Sequence, residues 1–352
     1  MSLAPSTAIA SHRKPLTDCP SLNAPVLGRA IKTQIETLLP LRIGGLAALA
    51  GRLRGAVAEN LPAPTRRAFW SWVFNGRPAA LHREGAETEA AEMIKAAIDT
   101  RRPPEGAGEG HIALVGAGPG ARDLLTLRAV ERLQEADIIF YDRLVDPDVL
   151  ELARRDAERV FVGKEVGACA WPQDRICALI VAEARKGRRV VRLKSGDPSI
   201  FGRATEELDS AREANIPVEI VPGVTAASAA ASALGESLTA RGETDTLVLA
   251  TGTCRPGDSS PDLTAHARPG TTLAIYMGVR SAGRISSELL SKGVPPETSV
   301  DIAANISARK EQLIQTNLIG LGATMEDSGI KGSALILLRW PKSAALALAK
   351  TG

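Results

Sequence analysis

From residue 111 onward, short β-rich runs alternate with helical windows, and no other feature of the chain restricts its fold as strongly. Strands are predicted at 111–115, 137–141, 159–162, 189–193 and 218–221, with helices at 123–134, 146–154, 172–186 and 204–213 between them. A strand, a crossover helix and a second strand pack back on one another as a right-handed parallel unit, so four repeats predict a mainly parallel α/β sheet. A second set of strands is predicted at 246–250, 271–277, 299–303, 312–316 and 334–340. Between the two sets, the small-residue helix 225–235 would pack close against a neighbour or a ligand. The expected fold class is α/β, with two domains, 111–224 and 225–345, joined near residue 224. The cleft between such domains is the default ligand site.

The first hundred residues differ in kind. Residues 1–23, broken by Pro5, Pro15 and Pro20, read as an irregular lead-in. Residues 24–100 read as helical. Over 25–58, apolar positions recur at three- and four-residue steps, predicting a helix pair interrupted at Pro40 and hinged at Gly44 and Gly45. Further helices are predicted at 66–75 and 87–99. With no strand, no phosphate loop and no cluster of titratable groups, this region suits packing or dimerisation better than catalysis. Trp70 and Trp72, with Phe69 and Phe74, read as core or interface aromatics. The stretch RRPPEGAGEG, 101–110, reads as a linker.

A net charge of +3 on 352 residues provides no global field for nucleic acid or anionic lipid, and 3% aromatic content leaves few platforms for stacked bases. No nucleic-acid or membrane partner is expected. The longest apolar runs, such as 273–279, fall far short of the roughly 20 residues that span a bilayer. Four scattered cysteines, Cys19, Cys169, Cys177 and Cys254, predict neither a disulfide framework nor a zinc ribbon, and the start lacks a secretory pattern. A cytoplasmic protein is expected. His12, His82, His111 and His266 have no metal-ligand spacing, so no metal is expected.

Three motifs stand at predicted strand ends. GAGPGA, 116–121, fits the dinucleotide pattern, with Asp142 about twenty residues on, where a ribose carboxylate would sit. Alone, this favours an NAD-dependent oxidoreductase, although Pro119 removes one backbone donor from the turn. RLKSGDPSIFGR, 192–203, holds a turn at Gly196 and Pro198 beside the Asp197 carboxylate. Such a turn offers oxygens rather than N–H donors and suits a cationic ligand, or else Asp197 simply caps its own turn. VPGVTAAS, 221–228, opens a helix with Thr225 as the expected N-cap. Arg143, Lys164, Arg192, Lys194, Arg203 and Arg241 lie at strand ends or nearby loops. Singly they read as surface charges; together they would hold a polyanionic small molecule.

Six motifs, IALVGAGPGARDLLTLRA, DIIFYDRLV, VFVGKE, RRVVRLKSGDPSIFGR, VEIVPGVTAAS and TLAIYMG, resemble in order and spacing those of the uroporphyrinogen-III C-methyltransferase family, the tetrapyrrole methylase part of siroheme synthases. The likeness covers about 111–340, and residues 24–98 resemble the helical dimerisation region that precedes that part. The family's NAD-binding dehydrogenase and chelatase domain has no counterpart in this sequence, so the methyltransferase function alone is expected. The resemblance implies a two-domain tetrapyrrole methylase fold, a homodimer, and methylation of uroporphyrinogen III at C2 and C7 by S-adenosyl-L-methionine, giving precorrin-2 for siroheme or cobalamin. It implies cofactor contacts at Pro119, Ser195, Gly196, Asp197, Ile200, Thr225, Ala226, Met277 and Ile306. The transfer chemistry needs a proton acceptor, and Asp142 is expected to be that acceptor or its electrostatic partner, with Lys164 and Arg192 anchoring carboxylates and tuning its charge, or else a helix cap or ion-pair partner of Arg143; Arg143, Lys194, Arg203 and Arg241 take the substrate side. The sequence departs from the family at Ala121, Ser195, LTARG (238–242), TGT (251–253) and ANIS (304–307). Ala240 and Gly242 bear on the substrate side, leaving a less active enzyme, a modified tetrapyrrole substrate, or a silent tetrapyrrole-binding dimer as alternatives.

Overall fold

The computed structural model describes residues 29, 42–100, 110–163, 171–254 and 261–344. The chain divides into two compact units, 1–108 and 109–352. The first is helical: α1 (Ile43–Asn60), α2 (Ala63–Asn75), α3 (Arg77–Glu84) and α4 (Glu87–Asp99). Val57, Phe69, Val73 and Ile94 are its innermost side chains, with Trp70 edge-on to Phe69 at 5.4 Å. The expected hinge at Gly44 and Gly45 does not form. Both glycines lie in the first turn of an unbroken α1, and a Cβ on Gly45 would stand 2.9 Å from the His82 ring, so the missing side chain permits close packing rather than bending. Helix α3 was not foreseen. It is eight residues long, carries Pro78 in its first turn and stops at Gly85, whose φ of 90° is left-handed. Apart from helical Arg29, the helix expected over 25–41 falls outside the described residues.

The second unit holds two five-stranded sheets. The first comprises β1 (His111–Gly116), β2 (Ile138–Tyr141), β3 (Glu158–Phe161), β4 (Arg189–Lys194) and β5 (Val218–Val221), all parallel, in the order β3-β2-β4-β1-β5. Helix α5 (Leu127–Glu135) covers one face through Ala129 and Leu133. It begins four residues later than the sequence predicts, because Thr126 caps it by accepting the Ala129 N–H at 3.2 Å. Helix α6 (Pro147–Leu150) is a single turn. Helices α7 (Gln173–Arg185) and α8 (Ala204–Glu213) cover the opposite face.

Directly after β5, helix α9 (Ala226–Leu234) leaves the first sheet and packs on the second. That sheet comprises β6 (Thr246–Thr251), β7 (Thr271–Tyr276), β8 (Ser299–Ala304), β9 (Gln312–Asn317) and β10 (Ala334–Trp340), in the order β6-β7-β10-β8-β9. Only β6 and β7 pair in parallel; the other three pairings are antiparallel. On one face, helices α10 (Ala282–Ser291) and α11 (Leu321–Asp327) bury Ile285, Leu289, Leu321 and Met325. On the other, Ala227, Ala229 and Ala230 of α9 meet Ala274 and Ala303, where small side chains let helix and sheet approach closely. Among the described residues no helix is long and apolar enough to cross a membrane.

Leu133 is fully buried between α5 and the first sheet. Leu133→Ala is expected to lower stability by about 2–5 kcal/mol and Leu133→Met by less than about 1.5 kcal/mol, read from denaturant midpoints.

Candidate functional site

The ends of β1, β4 and β5 meet backbone to backbone. A Cβ on Gly116 would stand 2.6 Å from the Gly223 nitrogen and 2.7 Å from the Gly196 oxygen; one on Gly223 would stand 2.3 Å from that same oxygen. Only glycine fits at both places. Gly196 differs: its φ is 69°, and a Cβ there would meet nothing within 4 Å, so the turn after β4 opens onto free space. Backbone bonds between Gly118 and Gly196 lock the GAGPGA loop to this turn. Asp197 ties in the third strand end, accepting the Gly223 N–H at 3.0 Å with Oδ2 and the Ser199 N–H at 2.8 Å with Oδ1. The expected capped turn is therefore present, and it also clamps β5.

The second sheet reaches the same junction. A Cβ on Gly120 would lie 3.3 Å from the Ile306 oxygen, and the Phe201 ring packs on Tyr276 with centroids 5.1 Å apart. Thr225 occupies the N-cap position of α9, but its side chain makes no capping bond. Tyr276, which sequence reasoning missed, supplies the cap instead. Its hydroxyl accepts the Ala227 N–H at 3.1 Å and lies 2.5 Å from Thr225 Oγ1. Among the described residues, six that are not glycine have left-handed φ, and five of them, Phe201, Arg203, Met277, Asn305 and Ser307, fall in the loops that border this junction. Strain of this kind collects where function fixes the backbone. Pro119, Ser195, Ile200 and Ala226 are half-buried here, Ile306 is buried, and Met277 is 49% exposed.

Asp142 stands just beyond β2. Its Oδ1 accepts the Leu144 N–H at 3.0 Å and its Oδ2 faces Arg192 Nη2 at 3.3 Å. Arg192 and Lys194 correct the expectation of a cationic rim. Both side chains are buried on the face of β4 under α7 and α8, where Arg192 Nε donates to Glu207 Oε1 at 3.1 Å and Lys194 Nζ to Glu207 Oε2 at 2.5 Å. Strand alternation puts Arg192 and Lys194 on the same side as Val190, and that side is covered. Burial, followed by repulsion from Arg192, holds the Lys194 ammonium below its ordinary pKa. Arg143, Arg203 and Arg241 are exposed, Arg203 also bonding Glu206 at 2.9 Å. Arg241 lies in a turn closed by the Ala240 and Thr244 backbones. Lys164 lies outside the described residues.

The dinucleotide reading fails on strand order. A Rossmann sheet places β2 beside β1, bringing its carboxylate to the ribose. Here β4 separates them, so Asp142 stands roughly two strand spacings, about 9–10 Å, from the glycine-rich loop. Two of the loop's donors are also engaged: Ala117 N–H bonds the Lys194 oxygen at 2.7 Å and Gly118 N–H bonds the Gly196 oxygen, while Pro119 has none.

Residues 111–321 match the Tetrapyrrole (Corrin/Porphyrin) Methylases, and 42–98 match the sirohaem synthase dimerisation region. The chain belongs to the tetrapyrrole methylase family. It is 44% identical over 304 residues to siroheme synthase 1 of Yersinia pseudotuberculosis, covering 86% of this chain and 63% of that protein. It is 41% identical over 317 residues to the siroheme synthase of Methylococcus capsulatus, covering 90% and 67%. It therefore spans slightly under two thirds of the Yersinia relative. Among solved structures, uroporphyrin-III C-methyltransferase from Thermus thermophilus, complexed with S-adenyl homocysteine, superposes with a TM-score of 0.57 at 39% identity, over 65% of this chain and 97% of that one. The likeness read from six sequence motifs is thus borne out.

Gly223→Ala forces a methyl group into the Gly196 carbonyl. The protein is expected to lose about 1–3 kcal/mol of stability, against a neutral-to-stabilising effect for Gly283→Ala inside α10, where the backbone is helical and a Cβ meets nothing within 4 Å; thermal unfolding of both variants checks this.

Proposed function

We propose that this methylase transfers methyl groups from S-adenosyl-L-methionine to C2 and C7 of uroporphyrinogen III, yielding precorrin-2 for siroheme or cobalamin, as a cytoplasmic homodimer joined through residues 24–100. The observation that carries the reading is the Gly116, Gly196 and Gly223 junction, with its open space beside Gly196 and the Ala117 and Gly118 N–H groups already bonded. That surface offers carbonyl oxygens and the Asp197 carboxylate, which fits a sulfonium and does not fit a pyrophosphate.

Pro119, Ser195, Gly196, Asp197, Ile200, Thr225, Ala226, Met277 and Ile306 would hold the cofactor where the two sheets meet. When bound, S-adenosyl-L-methionine supplies an electrophilic methyl group on a positively charged sulfur. The chain's own task is first to position. Aligning a pyrrole carbon for attack is worth about 7–11 kcal/mol, and the glycine-locked loops provide a rigid frame for it. Exposed Arg143, Arg203 and Arg241 would receive the carboxylates of a polycarboxylic substrate, with Lys164 completing the set. Alkylation leaves the ring cationic until a proton departs. Asp142 accepts that proton: it is 27% exposed, and Arg192 Nη2 orients its carboxylate from 3.3 Å.

Calorimetric titration is expected to give binding of S-adenosylhomocysteine and none of NAD; the reverse would discard the methylase reading. Incubation of uroporphyrinogen III with labelled cofactor is expected to place label in the macrocycle, and no label would favour a silent tetrapyrrole-binding dimer. Asp142→Asn is expected to slow transfer by about 10²–10⁴-fold while S-adenosylhomocysteine affinity stays unchanged. Equal loss of both would make Asp142 a scaffold residue.

A further inference from the structure

Glu207 lies in the first turn of α8 with a fully buried side chain, and nothing in the reaction described above uses it directly. A carboxylate removed from water survives only if it is paired and hydrogen-bonded, and this one is. It accepts from Arg192 Nε, from Lys194 Nζ and, at 3.1 Å, from Gln173 Nε2 of α7. Arg192 carries the connection outward. Its Nη1 donates to the Leu193 oxygen at 2.9 Å and the Phe140 oxygen at 3.3 Å, and its Nη2 reaches Asp142. A guanidinium is planar and rigid, so fixing its Nε edge on Glu207 fixes where its Nη2 points.

The charges balance as well. Arg192 and Lys194 on β4 face Glu207 on α8 and Asp142 after β2, two cations against two carboxylates. The third described partner of Glu207 carries no charge: it is the Gln173 amide of α7, whose Nε2 also lies 3.8 Å from Cys177 Sγ. Without the Glu207 charge, both cations would act on Asp142 alone and hold it ionised more tightly. Lys194 already has its ammonium disfavoured by burial and by Arg192, in line with a pair of cations that depends on Glu207.

We propose that Glu207 is a positioning residue for methyl transfer: it neutralises Lys194, orients Arg192, and through Arg192 sets how readily Asp142 takes up a proton. The inference rests on the reading of Asp142 as proton acceptor and extends it to a residue that touches neither cofactor nor substrate.

The test is the pH dependence of kcat in the full chain, assayed anaerobically with uroporphyrinogen III and S-adenosyl-L-methionine, for three variants. Glu207→Gln keeps the volume and removes the charge. Its acid limb is expected to move down by about one pH unit and kcat at neutral pH to fall about tenfold, with KM and S-adenosylhomocysteine affinity unchanged. Lys194→Met leaves two carboxylates against one cation, so its limb is expected to move up. The double variant restores balance, and its limb is expected to return toward that of the unaltered chain. Opposite shifts with mutual rescue are not produced by loss of packing. Should Glu207→Gln fail to fold, Lys194→Met carries the test alone. A limb that stays in place in either single variant, or that moves the same way in both, overturns the proposal. Isotope-edited infrared titration of Asp142, assigned with Asp142→Asn, separates the two levels of failure. An unaltered chain that transfers no methyl sinks the functional reading, whereas an Asp142 titration indifferent to Glu207 sinks this one.

Discussion

The architecture of the second unit turns on one close approach, where Gly116, Gly196 and Gly223 bring three strand ends together with no side chain between them. Because β4 lies between β1 and β2 and β5 flanks β1, the loops after β1, β4 and β5 emerge side by side. Any Cβ at Gly116 or Gly223 would push them apart. The Asp197 carboxylate and the paired backbones of Gly118 and Gly196 then hold the assembly closed. What remains exposed is a backbone surface, rigid and rich in acceptors, facing the second sheet through Phe201, Tyr276 and the 305–308 loop. Rigidity at this point is what positioning catalysis requires.

Two charge arrangements serve different ends around that surface. Inside, Arg192, Lys194, Glu207 and Asp142 form a balanced set whose members are mostly buried, so their mutual attraction is weakly screened. Outside, Arg143, Arg203 and Arg241 remain exposed to solvent and available to an anionic ligand. The proposed polycarboxylic substrate would therefore meet cations in a few exposed loops, which a chain of modest net charge can supply without a field spread over the molecule.

Much of this was legible in the sequence. The ten described strands of the second unit stood out as short runs rich in apolar and β-branched residues between helical windows, most plainly the buried β1, β4, β7 and β8. The SGDP turn and the GAGPGA loop advertised their backbone requirements through glycine and proline. Three things were not legible. Strand order depends on which crossover passes over which strand, and GAGPGA with Asp142 therefore imitated a dinucleotide site until β4 was seen between β1 and β2. Glu207 sits in ATEELDSARE, a run that reads as a solvated helix. The available signal lay elsewhere, in Arg192 and Lys194 spaced two apart among the apolar residues of β4, a pattern that calls for a buried counter-ion. Tyr276 escaped notice because Thr225 already satisfied the N-cap pattern, and only the fold brings a phenol from β7 over the first turn of α9. In the helical unit, a Gly-Gly pair was read as a hinge, whereas Gly45 serves contact with His82.

The central claim is that the glycine-built junction, with its oxygens and its open space at Gly196, receives a sulfonium cofactor between the two sheets. A crystal structure of the chain with S-adenosylhomocysteine tests it most directly. The account predicts the ligand's sulfur beside the Gly196 turn, within reach of the loops after β1, β5 and β7. A ligand lodged in another part of the chain, or a junction closed against it, would contradict the account.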